Sequence, residues 1–210
     1  MASRERYGEA AARVYRLAID PIVRPLRPRV AAALAGGSAL RVLDIGCATG
    51  DQARILAQRG LQPVGVDLSP AMIAAAARRS PHVPFVCGSA LALPFPDAAF
   101  DAAILSLALH EHDENERRAM VAEALRVLHP AGTLVIADFR EPRRPRWHLP
   151  WLVIRAIERS SGLEHRAGFA DYVSHGSLEG LLDRCGLTPQ AVRGSHFGCI
   201  GIAIIQGPFP

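Results

Sequence analysis

Two acidic residues, each closing a short apolar run, are the side chains of this sequence best placed to do chemistry. Asp44 lies within RVLDIGCATG (41–50), and Asp67 ends the apolar run of VGVDLS (64–69). Between them a glycine-containing turn precedes a stretch with helical spacing (51–59). Strand, tight turn, helix and strand form the unit from which doubly wound parallel sheets are built. Since such sheets bind ligands beyond the carboxyl ends of their strands, both carboxylates are predicted to border one nucleoside pocket.

The composition of the turn indicates which nucleoside this pocket would bind. Residues 46–51 read GCATGD and lack the G-x-G-x-x-G spacing of a dinucleotide site. Asp44 precedes the glycines and Asp51 follows them, and carboxylates beside a pyrophosphate would repel it by about 1 kcal/mol or more each. The same carboxylates favour a cation. S-adenosylmethionine carries a sulfonium and an ammonium and has no phosphate, so the turn favours this cofactor over NAD.

From about Tyr7 to Gln206 the chain resembles the class I S-adenosylmethionine-dependent methyltransferases. Within that class it is most similar to the branch that contains the ubiquinone and menaquinone biosynthesis C-methyltransferases. The family reads VLDIGCGTG where this chain has VLDIGCATG (42–50), and RVLKPGGRLVIxD where it has RVLHPAGTLVIAD (126–138). The resemblance implies an α/β, doubly wound, Rossmann-like fold. Its sheet would have seven mostly parallel strands in the order 3-2-1-4-5-7-6, with an antiparallel last strand.

The resemblance also assigns the cofactor contacts. The acid that ends the second strand, here Asp67, holds both ribose hydroxyls in the family. The family's adenine segment G-D-A reads Gly88-Ser89-Ala90 here. Ala48 replaces a glycine, which is costly wherever φ is positive, and Ser89 replaces an acid, which leaves a weaker neutral acceptor. Both changes are expected to weaken cofactor binding without abolishing it. The predicted cofactor-binding residues are Asp44, Gly46, Cys47, Ala48, Gly50, Asp67, Leu68, Met72, Gly88, Ser89, Ala90, Leu91 and Ser106.

The methyl acceptor is predicted to bind at the carboxyl ends of the fourth and fifth strands. Methyl transfer from a sulfonium needs an acceptor aligned with the leaving sulfur, a dry site and, for some acceptors, a general base. The segment 164–172 resembles the substrate lid of quinone methyltransferases; ordinary packing or capping is the alternative for each lid residue. The catalytic candidates are His110, Asp138 and Tyr172. The acceptor contacts are Tyr7, Tyr15, His110, His165 and Tyr172, with His175 as a further lid residue and Leu107 beside Ser106 in the pocket.

No metal site is predicted, because His110 and His112 offer only two ligands in one loop. The four cysteines have neither disulfide nor zinc spacing and are expected to be buried thiols. The net charge of +4 and the few aromatic residues argue against nucleic-acid binding. For the arginine-rich segment Arg143–Trp151 we favour a solvated loop, and a peripheral membrane contact is the alternative.

The length of 210 residues predicts one domain, with an N-terminal helical cap (1–37) and a substrate-lid insert (140–176). Because the sequence contains neither a transmembrane-length apolar run nor a signal-like start, a cytoplasmic monomer or homodimer is expected. Helices are predicted over 5–18, 30–34, 51–59, 70–80, 114–128, 149–160 and 177–185, and later strands over 83–87, 100–107, 133–139, 188–192 and 198–205.

A methyltransferase for a small, lipophilic or aromatic acceptor is the favoured function. Ala48 and Ser89 motivate an alternative from another class, a non-catalytic regulatory or partner protein that binds S-adenosylmethionine or S-adenosylhomocysteine. An NAD oxidoreductase is a third and weaker interpretation.

Overall fold

The computed structural model describes residues 20–34, 40–142, 144, 148–160 and 163–209. Within them, seven strands form one sheet: β1 (Arg41–Ile45), β2 (Gln62–Asp67), β3 (Phe85–Cys87), β4 (Phe100–Ser106), β5 (Leu128–Phe139), β6 (Ala191–Ser195) and β7 (Ile200–Gln206). The strand order is β3-β2-β1-β4-β5-β7-β6. β1 to β5 pair in parallel, whereas β7 runs antiparallel to β5 and β6. The predicted fold and strand order are confirmed.

Helices in the described residues are α1 (Asp20–Val23), α2 (Arg27–Ala32), α3 (Asp51–Gln58), α4 (Pro70–Arg79), α5 (Glu114–Val127), α6 (His148–Ser160), α7 (Leu163–Ser174) and α8 (Ser177–Arg184). A 3₁₀ turn (His196–Gly198) separates β6 from β7. The predicted helix over 5–18, with Tyr7 and Tyr15, lies outside the described residues.

Side-chain caps begin two of the helices that flank the nucleoside pocket. Ser69 Oγ accepts a hydrogen bond from the Met72 backbone N–H at 3.3 Å, and Asp113 caps α5 in the same way. The predicted N-cap of α8 is wrong: Gly176, with φ +83°, is the N-cap, and Ser177 is the first helical residue. Glycine replaces a side-chain cap there because the chain must turn through the left-handed region.

Several element boundaries differ from the sequence predictions. β5 begins at Leu128 and not at residue 133, because Leu128 pairs with Phe100 before the register shifts. The lid segment forms helix α7, whose buried Phe169 and Tyr172 lie three positions apart on its inner face. β3 is two residues shorter than predicted and β6 begins three residues later, at Ala191.

Helices α6 and α7, which form most of the predicted lid and are called the lid helices below, pack against the sheet through aromatic rings and one buried cation. Trp151 and Phe169 lie against Phe139 at the end of β5, with ring centroids 6.3 and 5.6 Å from it. Arg117, fully buried on α5, bonds Glu114 and the Asp171 carboxylate of α7. Trp151, which the membrane alternative placed at a lipid contact, is therefore a core residue that is 3% exposed.

Candidate functional site

The glycine turn after β1 folds back over the end of β2. The backbone N–H groups of Gly46 and Cys47 both donate to Val66 O, at 2.8 and 3.0 Å. Gly46 and Gly50 have φ values of +73° and +77°, so each uses the freedom that a missing Cβ gives. Ala48 has φ +47°, and a side chain in this region costs about 1–2 kcal/mol. Ala48, which stands where the resembled family has glycine, therefore strains the backbone of the turn.

Asp67 is held at the pocket edge by the turns on either side of it. Its Oδ2 accepts from Ala48 N and its Oδ1 from Ser69 N, both at 2.9 Å. Burial raises the pKa of Asp67, while these two hydrogen bonds lower it. Because a carboxylate oxygen can accept more than one hydrogen bond, both oxygens keep acceptor capacity for a ligand.

The predicted adenine segment lies beside Asp67 on a more open surface. Gly88 N donates to Asp67 O at 3.0 Å, and Leu68 and Leu91 are 38% and 40% exposed. Ser89 Oγ accepts from Leu91 N at 3.1 Å, so this hydroxyl also serves its own turn. Of the other predicted cofactor-binding residues near this segment, Met72 is buried and Ala90 is half-buried.

A small cavity of about 30 Å³ lies between the turn and helices α1 and α2. Its lining includes Arg27, Asp44, Gln52, Ser106 and Leu107. Asp44 Oδ2 and both polar atoms of the Gln52 amide are buried there without a hydrogen-bond partner among the described residues. Burial raises the pKa of Asp44 to about 7, although nearby Arg27 lowers it. A carboxyl, an amide and a guanidinium at one cavity suit the ammonium and carboxylate of a free amino-acid group.

One part of the electrostatic argument from the sequence is corrected. Asp51 is not a free anion beside the turn, because Arg79 bonds both of its oxygens, at 2.8 and 2.9 Å. Arg54 adds a further contact at 3.2 Å. The negative edge of the pocket therefore comes from Asp44 and Asp67.

On the opposite side of the β4 end, His110 and Asp138 form a buried pair. His110 Nδ1 lies 2.8 Å from Asp138 Oδ1, and Asp138 Oδ2 accepts from Leu109 N at 3.0 Å. Burial lowers the pKa of His110, but the carboxylates of Asp138, Glu111 and Glu158 together outweigh this effect and the net shift is upward. Two predicted catalytic residues are thus in direct contact, and Asp138 also fixes the loop that carries His110.

The lid helices bring further ionisable side chains to this pair. His165 on α7 lies between Glu111, whose Oε2 is 3.5 Å from Nδ1, and Glu158 of α6, which bonds Nε2. Burial lowers the pKa of His165, but the two glutamates raise it to about 10. Further ligand-type side chains therefore lie beside the loop after β4, whereas His112 instead contacts Glu116 on α5.

Two predicted lid residues have structural roles. Tyr172 is completely buried, and its hydroxyl donates to Phe139 O at 3.1 Å. Its position supports packing in place of the predicted catalytic and acceptor contacts. His175 is exposed at the end of α7 and bonds the Asp171 backbone carbonyl.

Four residues of the two clusters were missed from the sequence: Arg27, Gln52, Glu111 and Glu158. Gln52 directly follows the glycine turn, and Glu111 lies between two singled-out histidines, so proximity could have indicated both. Arg27 and Glu158 carry no local signal, because only the packing of α2 and α6 places them here.

A methyltransferase domain model matches residues 42–132. The chain is 42% identical over 102 residues to a demethylmenaquinone methyltransferase of Renibacterium salmoninarum, covering 49% of this chain and 42% of the relative. It is 32% identical over 166 residues to an uncharacterised methyltransferase of Synechocystis, covering 79% and 74%. The chain spans less than half the length of three demethylmenaquinone methyltransferases that it matches (42%, 45% and 42%).

Among solved structures, the N-methyltransferase NodS of Bradyrhizobium japonicum in complex with S-adenosylhomocysteine superimposes with a TM-score of 0.66. The identity is 19%, and the alignment covers 93% of this chain and 92% of NodS. At this identity the likeness is one of fold.

Proposed function

Because the chain belongs to the class I S-adenosylmethionine-dependent methyltransferases, we propose that it transfers the methyl group of that cofactor to a small lipophilic acceptor. The carrying observation is the cavity beside the glycine turn, where buried Asp44 and Gln52 present unpartnered polar atoms. The ammonium and carboxylate of an amino-acid group can bond these polar atoms, whereas a phosphate would be repelled by the Asp44 carboxylate. When bound, the cofactor supplies a methyl group activated by a positively charged sulfur.

Each part of the pocket has a proposed partner on the cofactor. Asp67 binds the ribose hydroxyls and the 88–90 segment lies against the adenine. Asp44 takes the ammonium, and Arg27 with Gln52 takes the carboxylate. The cavity of about 30 Å³ is close to the volume of one water molecule. We therefore propose that helices α1 and α2 move outward to admit the amino-acid end.

The acceptor is proposed to bind beside the His110–Asp138 pair, which orients it. A cavity of about 620 Å³ between α6 and α7 has Phe169, Ala170 and Val173 among its lining residues. Phe169 also packs against His110, with ring centroids 6.1 Å apart. This volume suits a small organic molecule, and the apolar side chains, which share the lining with Arg155, Arg166 and Ser174, support a lipophilic one. The name of the relative with 42% identity, a demethylmenaquinone methyltransferase, points to the same class of acceptor.

Helix α6 supports a peripheral membrane contact that would supply such an acceptor. Leu149, Leu152 and Val153 are 71%, 57% and 53% exposed. No described helix is both long and apolar enough to pass through a bilayer. We expect vesicles with anionic lipid to sediment the full chain, and L152S/V153S to reduce the bound fraction severalfold. Equal binding by the wild type and the variant would mean that α6 is a solvent-exposed helix and not a membrane contact.

Replacing Asp67 tests the cofactor assignment. We expect Asp67→Ala to weaken binding of S-adenosylhomocysteine about 10- to 150-fold, the equivalent of about 1.5–3 kcal/mol for hydrogen bonds to a charged group. Titration calorimetry gives the dissociation constant, and Asp97→Ala, at a side chain 78% exposed, is the matched control. An Asp67→Ala constant equal to that of the control would contradict the ribose assignment.

Methyl transfer itself is tested with a methyl-labelled cofactor and a panel of hydroxynaphthoquinones, phenols and amines. The proposal expects label in the organic extract with a lipophilic aromatic acceptor. Tight cofactor binding without transfer to any member would favour the non-catalytic alternative, which the family membership does not favour.

A further inference from the structure

Two histidines and two glutamates from separate parts of the chain meet beside Asp138. His110 and Glu111 follow β4, Glu158 lies on α6 and His165 lies on α7. One ligand atom from each of His110, Glu111 and His165 lies within 4.8 Å of the other two. Imidazole nitrogen and carboxylate oxygen are zinc ligands, and two histidines with one glutamate form a common set with an open position.

Each imidazole has one nitrogen occupied by a carboxylate. His110 Nδ1 contacts Asp138 at 2.8 Å, and His165 Nε2 bonds Glu158. The nitrogens left for an ion are His110 Nε2 and His165 Nδ1, the latter 3.5 Å from Glu111 Oε2. A histidine that binds metal through one nitrogen usually gives the other to a carboxylate or carbonyl, which fixes its tautomer and orientation. Both histidines of this cluster have that support.

The spacing and enclosure of these atoms suit one ion. Two donors on a tetrahedral zinc are about 3.3 Å apart, because each bond is about 2.0 Å long. The 3.5 Å between His165 and Glu111 is close to this value. Glu158 Oε2 lies 4.0 Å from His110 Nε2, too far for a hydrogen bond, and its bond to His165 makes it a supporting carboxylate of the cluster. The four side chains are between 5% and 20% exposed, so an ion can reach them.

We propose that His110, Glu111 and His165 bind one divalent transition-metal ion of the zinc type, with Glu158 and Asp138 as supporting carboxylates. The ion would fasten the lid helices to the β4 loop and balance part of the negative charge of the three carboxylates. Its open position would face the acceptor side, where an acceptor oxygen could coordinate. In that state His110 is a metal ligand and orients the acceptor through the ion.

The test uses the full chain, freed of metal by a chelator and titrated with Zn²⁺ by calorimetry and with Co²⁺ by visible absorption. We expect one ion per chain, ligand-field bands of cobalt bound by nitrogen and oxygen, and a higher melting temperature with Zn²⁺. His165→Asn and Glu111→Gln should each weaken Zn²⁺ binding at least tenfold. His175→Asn, directly after the helix that carries His165 and 48% exposed, should bind as the wild type does.

Melting curves of the metal-free variants report whether each one folds, and Glu111→Gln serves if His165→Asn does not. Failure of the wild type to bind one Zn²⁺ per chain would overturn the proposal. The same holds if both variants bind as tightly as His175→Asn, since the ion would then lie elsewhere. Neither outcome depends on cofactor binding or methyl transfer, so the metal site and the proposed activity can fail separately.

Discussion

Lowering the pH from 8 to 6 should weaken binding of the cofactor product S-adenosylhomocysteine by protonating Asp44. Burial raises the pKa of this carboxyl to about 7, whereas an ordinary aspartate has a pKa near 4. The proposed partner of Asp44 is the ligand ammonium, which the carboxylate attracts and the neutral acid does not. The binding-competent form therefore predominates above pH 7 and is lost as the pH falls below it.

The pKa gives the size of the effect. With a value of about 7, roughly nine-tenths of Asp44 is protonated at pH 6 and roughly one-tenth at pH 8. Affinity should then fall about tenfold, or about 1.4 kcal/mol. Among the groups facing Asp44, the Cys47 thiol, whose pKa is well above its usual value, stays neutral.

Calorimetry at the two pH values measures the affinity ratio, and repetition in buffers of different ionisation enthalpy counts the protons released. We expect about 0.9 proton to leave per ligand bound at pH 6. Asp44→Asn should bind more weakly at pH 8 and should retain less than about a twofold dependence on pH. A wild-type ratio below about threefold, or an undiminished ratio in Asp44→Asn, would refute the assignment of Asp44 to the ammonium.

Two further predictions concern the glycine pattern around the pocket. Gly65→Ala would place a Cβ 2.6 Å from Phe85 Cδ1, so the free energy of unfolding measured in urea should fall by about 1–3 kcal/mol; a loss below about 0.5 kcal/mol would show that the ring moves aside. Ala48→Gly removes the strain at φ +47° and should raise the melting temperature, with a gain of up to about 1 kcal/mol after the entropic cost of glycine. An unchanged or lower melting temperature would mean that Ala48 carries no net strain.

The cofactor side could be predicted from the sequence because its determinants are local. The turn between β1 and α3 follows from glycines and apolar runs a few residues apart, and Ser69 caps α4 as its position next to Pro70 indicates. The charge of Asp51 was misjudged because its partner Arg79 lies 28 positions away on another helix. A charge assigned from the sequence can be neutralised in the folded protein by a residue that is distant along the chain, as Arg79 neutralises Asp51.

The acceptor side could be predicted only in part for the same reason. His110 was found because it follows a recognisable strand, and Asp138 because it lies at the end of one. The approach of Glu158 and His165 depends on how α6 and α7 pack against Phe139, and no periodicity encodes that angle. Tyr172 illustrates the opposite error, since a polar aromatic residue in a lid-like segment is used here for packing, with its hydroxyl on a backbone carbonyl.

The cover that α2 forms over the amino-acid end of the pocket has a kinetic consequence. Val23, Leu26 and Arg27, from α1 and the start of α2, line that cavity, so in the proposed binding mode the amino-acid end enters and leaves while these helices are displaced. The observed association rate then equals the encounter rate multiplied by the fraction of molecules that are open. The residence time of the bound ligand is set by the rate at which the helices reopen. If this opening is slower than methyl transfer, release of S-adenosylhomocysteine limits turnover.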